Sequence, residues 1–334
     1  MLLTLCLFLG SAGAIYLACE YFVNGVEWFG QKLKLGATAT GTVLAAFGTA
    51  LPESSVTFVA VMFGKTPEAR DIGVGAAMGG PLVLATIAYA VVGVAMWCNR
   101  HRLQRADRII RVDHRRLARD QSWFLAIFVV KFGLGLVVFA FKPLLGVLFL
   151  AAYAMYVWRE MRSDDSAPED ETLEPLKFRP GDAEPALRWV VAQTVAALLV
   201  IAAASRVFVS QLEAIGVAFS LPPHLVALLL SPVATELPET INALIWVRQG
   251  KERLALATIS GSMMIQATIP SSLALFATPW LFDTPLIVAG VLTTLAIAYL
   301  GWLFRRGKVD AGGLLPVGLL YGVFAAFVVW HFAR

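Results

Sequence analysis

Gly48-Thr49-Ala50-Leu51-Pro52-Glu53 interrupts an apolar run that would otherwise read as one membrane span. Proline removes a backbone donor and its ring clashes with the carbonyl four residues back, so the helix is expected to open at this point. Opening would free carbonyls around Gly48 and Thr49, and the next residue that can carry charge is Glu53. A carboxylate at mid-membrane depth is costly unless something pairs with it, which makes Glu53 a functional candidate. The same string returns as Ala234-Thr235-Glu236-Leu237-Pro238-Glu239, again inside an apolar run. Two broken, acidic helices predict a site between them, with Glu53 and Glu239 face to face.

The surrounding composition is that of a polytopic membrane protein. The 334 residues are 58% apolar and 15% charged, with a mean hydropathy of +0.73. Soluble domains average about 45–50% apolar and about 25% charged. Charged residues are clumped, leaving runs of about 18 or more nearly uncharged residues, long enough for a helix to cross the bilayer. The alternating segments of roughly ten residues that a closed barrel needs do not occur. The fold class is therefore all-α and membrane-spanning.

Ten spans are predicted, at 2–29, 36–63, 71–98, 122–141, 143–159, 187–213, 222–247, 254–277, 284–304 and 312–332, with Lys142-Pro143 dividing the fourth from the fifth. The apolar start without a basic region or cleavage site reads as a first span, not a removed signal. Basic connections alternate with weakly charged ones, and the strongest holds eight arginines between Arg100 and Arg119. By the positive-inside rule the basic loops are cytoplasmic and both termini extracytoplasmic. Short loops suit a prokaryotic plasma membrane. Residues 161–186 are rich in Asp, Glu and Pro and read as a solvated acidic cytoplasmic linker between a first half, 1–160, and a second, 187–334. Cys6, Cys19 and Cys98 have no metal-type spacing and read as small buried hydrophobes.

Shifting the chain by 186 residues superposes Phe22-Val23 on Phe208-Val209, Glu27 on Glu213, Thr49 on Thr235, Leu51-Pro52-Glu53 on Leu237-Pro238-Glu239, and Gly64-Lys65 on Gly250-Lys251. Five spans separate the copies, so the second half enters the membrane from the opposite side. Inverted five-helix repeats with paired interrupted helices are the architecture of secondary transporters that bind substrate at the midplane.

With these strings, and ten spans in two inverted halves, the chain resembles the sodium/calcium exchanger membrane region of the cation/calcium antiporter superfamily. The resemblance implies that Glu53 and Glu239 coordinate calcium and that Thr49 and Thr235 lend backbone or hydroxyl oxygens. Glu236 stands where the family usually has serine and adds a third carboxylate to the candidate metal ligands. The family's next helix usually carries a G-N-x-x-G-S-N string whose oxygens build sodium sites. Here the first copy reads Gly75-Ala76-Ala77-Met78-Gly79-Gly80-Pro81, and the second keeps Ser262 but has Met263 in place of Asn. Leu84 and Gln266 occupy positions that are often acidic or amide. Sodium needs oxygen ligands that Ala, Gly and Met side chains cannot supply, whereas protons need no cage. The coupling ion is thus Na⁺ or H⁺.

Other polar residues read more plainly. Gly75, Gly79, Gly80 and Gly261 permit close helix approach, and Ser54, Ser231 and Ser262 suit helix contacts. Glu20 and Arg206 fall at equivalent positions and either pair across the repeat axis or reach separately to the interfaces. Lys131 reads as a snorkelling residue. No Ser/His/Asp set or metal-ligand spacing supports an intramembrane hydrolase, so the chain is expected not to be an enzyme. The expected function is secondary active antiport of Ca²⁺ against Na⁺ or H⁺. Its partners are small inorganic cations and the lipid bilayer, with no organic cofactor and no nucleic acid. The alternatives are a proton-coupled exchanger without sodium sites and a non-transporting membrane homologue.

Overall fold

A computed structural model describes residues 2–32, 44–99, 109–110, 112–162, 173–248, 250 and 252–332; the side chains of 44–49 are among those outside that description. The described residues form helices and one isolated bridge, Ile109 with Asp310. In chain order the α-helices are α1 (Leu2–Lys32), α2 (Leu44–Phe63), α3 (Pro67–Val83), α4 (Tyr89–Asn99), α5 (His114–Gly135), α6 (Gly146–Arg162) and α7 (Leu187–Phe219). They continue with α8 (Pro223–Thr235), α9 (Leu237–Arg248), α10 (Glu252–Ala277), α11 (Thr284–Arg305) and α12 (Pro316–Phe332). A π-helical turn, Leu84–Ala88, fuses α3 to α4. Among the described residues six helical stretches are long and apolar enough to cross a membrane, including Pro67–Asn99 and Leu187–Phe219.

Local sequence explains the helix starts. Thr66 accepts from the Ala69 N–H at 3.2 Å with Pro67 opening α3. Asp113 accepts from the N–H groups of Arg115 and Arg116, each at 3.0 Å, and Asp283 caps α11 through Leu286 at 3.2 Å. Asp283 also meets His224 of α8 at 2.7 Å. Burial pushes the Asp283 carboxyl up, but the hydrogen bond and charge of His224 outweigh it and hold it below its usual range.

Several expectations change. The cap at Asp113 starts α5 eight residues before the predicted fourth span, and Lys142-Pro143 lies in a 3₁₀ turn, Lys142–Leu145, ahead of α6. α2 runs unbroken through Pro52, the lost bond being absorbed within one helix. The second copy does divide, at Glu236, between α8 and α9. Of the cysteines only Cys19 is buried; Cys6 and Cys98 are exposed on the apolar exterior.

The acidic linker is solvated only in part, because residues 173–186 carry apolar and donor groups that dock on α1 and α7. Leu176 is buried with Trp28 and Val190. Trp28 Nε1 donates to the Glu174 carbonyl at 2.9 Å, and Gln193 Oε1 accepts from Phe178 N at 2.7 Å. Lys177 pairs with Glu20 at 3.1 Å, while Arg206 lies 4.5 Å from the Phe63 ring centre, so Glu20 and Arg206 do not pair with each other.

α1 lies along α7, with Phe8 and Phe208 stacked at 4.8 Å. α2 packs on α3 and α10, and α3 packs on α8. The last contact depends on glycine. A Cβ on Gly75 would overlap the backbone of His224, and one on Gly79 would press on the Leu228 carbonyl and the Pro232 ring. Gly75→Ala should therefore cost about 1–3 kcal/mol through overpacking and lower the unfolding midpoint in detergent. Gly133→Ala, whose added methyl meets nothing within 4 Å, should be neutral or stabilise by about 0.5–1 kcal/mol.

Candidate cation site

Glu53, Glu236 and Glu239 are 1%, 2% and 4% exposed. Glu53 lies ten residues before the end of α2, which at 1.5 Å per residue is about 15 Å, half of a ~30 Å hydrocarbon layer. Its carboxyl lies flat against Gly80 of α3, where any Cβ would overlap it. Neither oxygen has a hydrogen-bond donor among the described residues. The carboxyl instead faces Glu236, within hydrogen-bonding reach, and feels the charge of Lys131. Two carboxylates contain no donor, so they can be joined only by a shared proton or a shared cation.

Glu236 is the corner residue of the second interruption, with φ −101° and ψ −15°. It stands at the negative end of α8, where a carboxylate is disfavoured. Side-chain donors offset this. Gln266 Nε2 donates to Oε2 at 2.6 Å and Thr235 Oγ1 lies 2.9 Å from Oε1, while Thr235 also reaches the Ser231 carbonyl at 3.1 Å. The Glu236 carbonyl accepts from the N–H and the hydroxyl of Thr240 at 3.0 and 2.9 Å, so the corner leaves its own backbone satisfied.

Glu239 occupies the first turn of α9, at the positive helix end where a carboxylate is favoured. Its Oε1 accepts from Ser262 at 2.9 Å, and its charge reaches Tyr16 of α1. Glu53 thus faces Glu236, a neighbour that its repeat equivalence with Glu239 does not predict. The physical reason is where the chain turns: the corner falls one residue ahead of Leu237-Pro238 and carries Glu236. Thr235 joins the cluster through Glu236. The side chain of Thr49 lies outside the described residues. Among the described residues no group of three His, Cys, Asp or Glu side chains has metal-binding geometry.

Prolines also free backbone oxygens. Pro81, Pro232 and Pro270 lie inside helices, and each deprives the carbonyl four residues earlier of its usual donor: Ala77, Leu228 and Gln266. The buried Gln266 Oε1 and Ser231 Oγ have no partner among the described residues.

Lys131 of α5 departs from its reading as a snorkelling residue. It is 0% exposed, and its ammonium donates to the Ala77 carbonyl at 2.6 Å, with the Phe128 and Trp280 ring centres 5.5 and 5.9 Å away. Its stem runs inward because a freed carbonyl, two aromatic faces and a carboxylate wait there. The sequence signal was available in Pro81, which predicts a carbonyl in need of a donor; the missing information was which helix would supply one.

The sodium/calcium exchanger protein family model matches residues 3–161 and 189–330. CaxA of Alkalimonas amylolytica, provisionally named an antiporter, is 24% identical over 326 residues, covering 92% of this chain and 95% of CaxA. Among solved structures, the H⁺/Ca²⁺ exchanger CAX superposes with a TM-score of 0.74 at 16% identity, covering 99% of this chain and 87% of CAX. The sodium-calcium exchanger NCX_Mj superposes with a TM-score of 0.60 at 17% identity, covering 98% of each chain. These likenesses match the helical fold, and the family match spans both halves of the sequence. The chain belongs to the sodium/calcium exchanger protein family, a family of membrane antiporters.

Proposed function

We propose that this chain is a secondary active antiporter that exchanges Ca²⁺ for Na⁺ or H⁺ by alternating access, with the divalent ion held between α2 and the α8–α9 corner. The observation that carries the reading is the opposed, buried pair Glu53 and Glu236. Two carboxylates match one divalent charge, and hard oxygen donors suit calcium. Glu239 completes the acidic set, with backbone or hydroxyl oxygens of Thr49 and Thr235 and the amide oxygen of Gln266 as neutral ligands. When the divalent ion leaves, counter-cations or protons must neutralise the carboxylates before the site reorients, and that requirement couples the two fluxes.

The proposed frame is ten spans in two inverted halves, 1–160 and 187–334, joined by 161–186, with both termini extracytoplasmic in a prokaryotic plasma membrane. Reciprocal packing supports it: α2 of the first half lies on α10 of the second, and α8 of the second on α3 of the first. The 186-residue shift carries α3 onto 253–269, within α10, and α2 onto 230–249, the end of α8 and all of α9.

A second reading, coupling to H⁺ alone, is favoured by one observation. Ala76, Gly80, Pro81 and Met263 supply no side-chain oxygen in the two strings where the family resemblance expects sodium ligands. Proteoliposomes loaded for ⁴⁵Ca²⁺ uptake test both versions. A pH gradient in Na⁺-free medium should drive uptake; strict dependence on a Na⁺ gradient would end the proton version, and indifference to both gradients would end the antiport reading.

Glu53→Gln, Glu236→Gln and Glu239→Gln should each reduce uptake by about 10–100-fold, the value of one lost charge-assisted contact. Wild-type rates in all three would remove these carboxylates from the transport path, and absence of uptake by wild type would favour the non-transporting homologue. Gly80→Ala should leave helix content intact yet weaken Ca²⁺ uptake about as strongly as Glu53→Gln, because its methyl displaces the Glu53 carboxyl. Unchanged uptake in this variant would remove Glu53 from the site.

A further inference from the structure

We propose that the Lys131 ammonium is a tethered cation, filling a subsite beside Glu53 that a free monovalent ion would otherwise occupy. The inference rests on the exchanger reading for its purpose but not for its test.

The subsite is built from three helices and a loop. Pro81 leaves the Ala77 carbonyl without its helical donor, ten residues into α3 and so about 15 Å deep. Glu53 of α2 brings a carboxylate with no donor of its own. A freed carbonyl next to a buried carboxylate is a binding arrangement for a small cation, of the kind interrupted membrane helices provide. Lys131 Nζ takes that carbonyl at 2.6 Å, one helical turn before Gly80, against which the Glu53 carboxyl lies.

The surroundings favour a positive charge at this point. The faces of Phe128 and Trp280 lie within 6 Å of the nitrogen, at 5.5 and 5.9 Å. Trp280 is itself held in the left-handed region, φ 49°, a conformation that bulky side chains adopt only when neighbours impose it. Those neighbours are identifiable. Its indole N–H donates to the Lys131 carbonyl at 3.1 Å, and its backbone N–H to Thr278 Oγ1 at 3.1 Å. One aromatic residue thus fixes both the backbone and the charged end of Lys131.

The consequence is for ion selectivity. A tethered side chain cannot leave for either solution, so the subsite contributes charge balance without contributing a transported metal ion. The absent side-chain oxygens at Ala76, Ala77 and Gly80 follow: a site already holding a cation needs no ligands for another.

Thermal unfolding of the purified full-length protein in detergent tests this, comparing NaCl with N-methylglucamine chloride at equal ionic strength. Wild type and Lys131→Arg should give the same midpoint in both salts. Lys131→Met and Lys131→Gln should gain a Na⁺-specific rise of a few degrees, on the order expected for ligand at about 100 times its Kd. Gln keeps a donor for the Ala77 carbonyl and Met keeps the stem, so the two variants strain the fold differently. The absence of a Na⁺-specific rise in whichever variant folds would overturn the proposal. If neither folds, the wild-type comparison decides: a Na⁺-specific rise there overturns it and equal midpoints support it. Because this readout needs no transport, it is separate from ⁴⁵Ca²⁺ uptake by wild type, whose absence would count against the exchanger reading alone. Where uptake is present, it should be indifferent to Na⁺ in wild type at fixed pH gradient and at least several-fold Na⁺-dependent in Lys131→Met.

Discussion

Two carboxyl groups held within hydrogen-bonding reach at the middle of an apolar bundle repel each other unless something positive lies between them. Glu53 and Glu236 are in that position, and much of the local architecture serves to keep them there. Gly80 gives up its side chain so that Glu53 can lie against α3. Gln266 and Thr235 hold Glu236 at a helix end that would otherwise reject its charge. Glu239 sits one turn on, at the helix end that favours it, fastened by Ser262.

Prolines and glycines divide the remaining work. Prolines inside α2, α3, α8 and α10 remove donors without removing the helices, so single carbonyls become available at depth while the rest of each backbone stays bonded. Glycines at 75 and 79 let α3 approach the backbone of α8 closely. The docked segment 173–186 ties the end of α1 to the start of α7 through Trp28, Asn24 and Gln193.

The helical membrane fold and the acidic strings were legible in the sequence because hydropathy and a repeated proline–glutamate pair are local signals. The partner of Glu53 was not. The 186-residue match pairs Glu53 with Glu239 and offers no signal for Glu236, which falls on Ala50 and owes its place to the corner of the chain. Lys131 was misread for a related reason: a lysine in an apolar run reaches water by default, and only the arrangement of α3, α5 and the Trp280 loop reverses that direction. The linker, judged by its acidic composition, concealed the few groups that dock, Leu176 foremost. Gln266 was noticed as an amide in an informative place, yet its partner needed the fold.

In the proposed mechanism Glu53 and Glu236 act on one ion, and a double-mutant cycle on Ca²⁺ affinity tests that most directly. Calcium binding to purified wild type, Glu53→Gln, Glu236→Gln and the double variant would be measured at one pH and ionic strength. A shared ion predicts strong non-additivity, with a coupling of about 0.5–3 kcal/mol between the two positions. Additive losses, or calcium binding unaffected by either change, would contradict it.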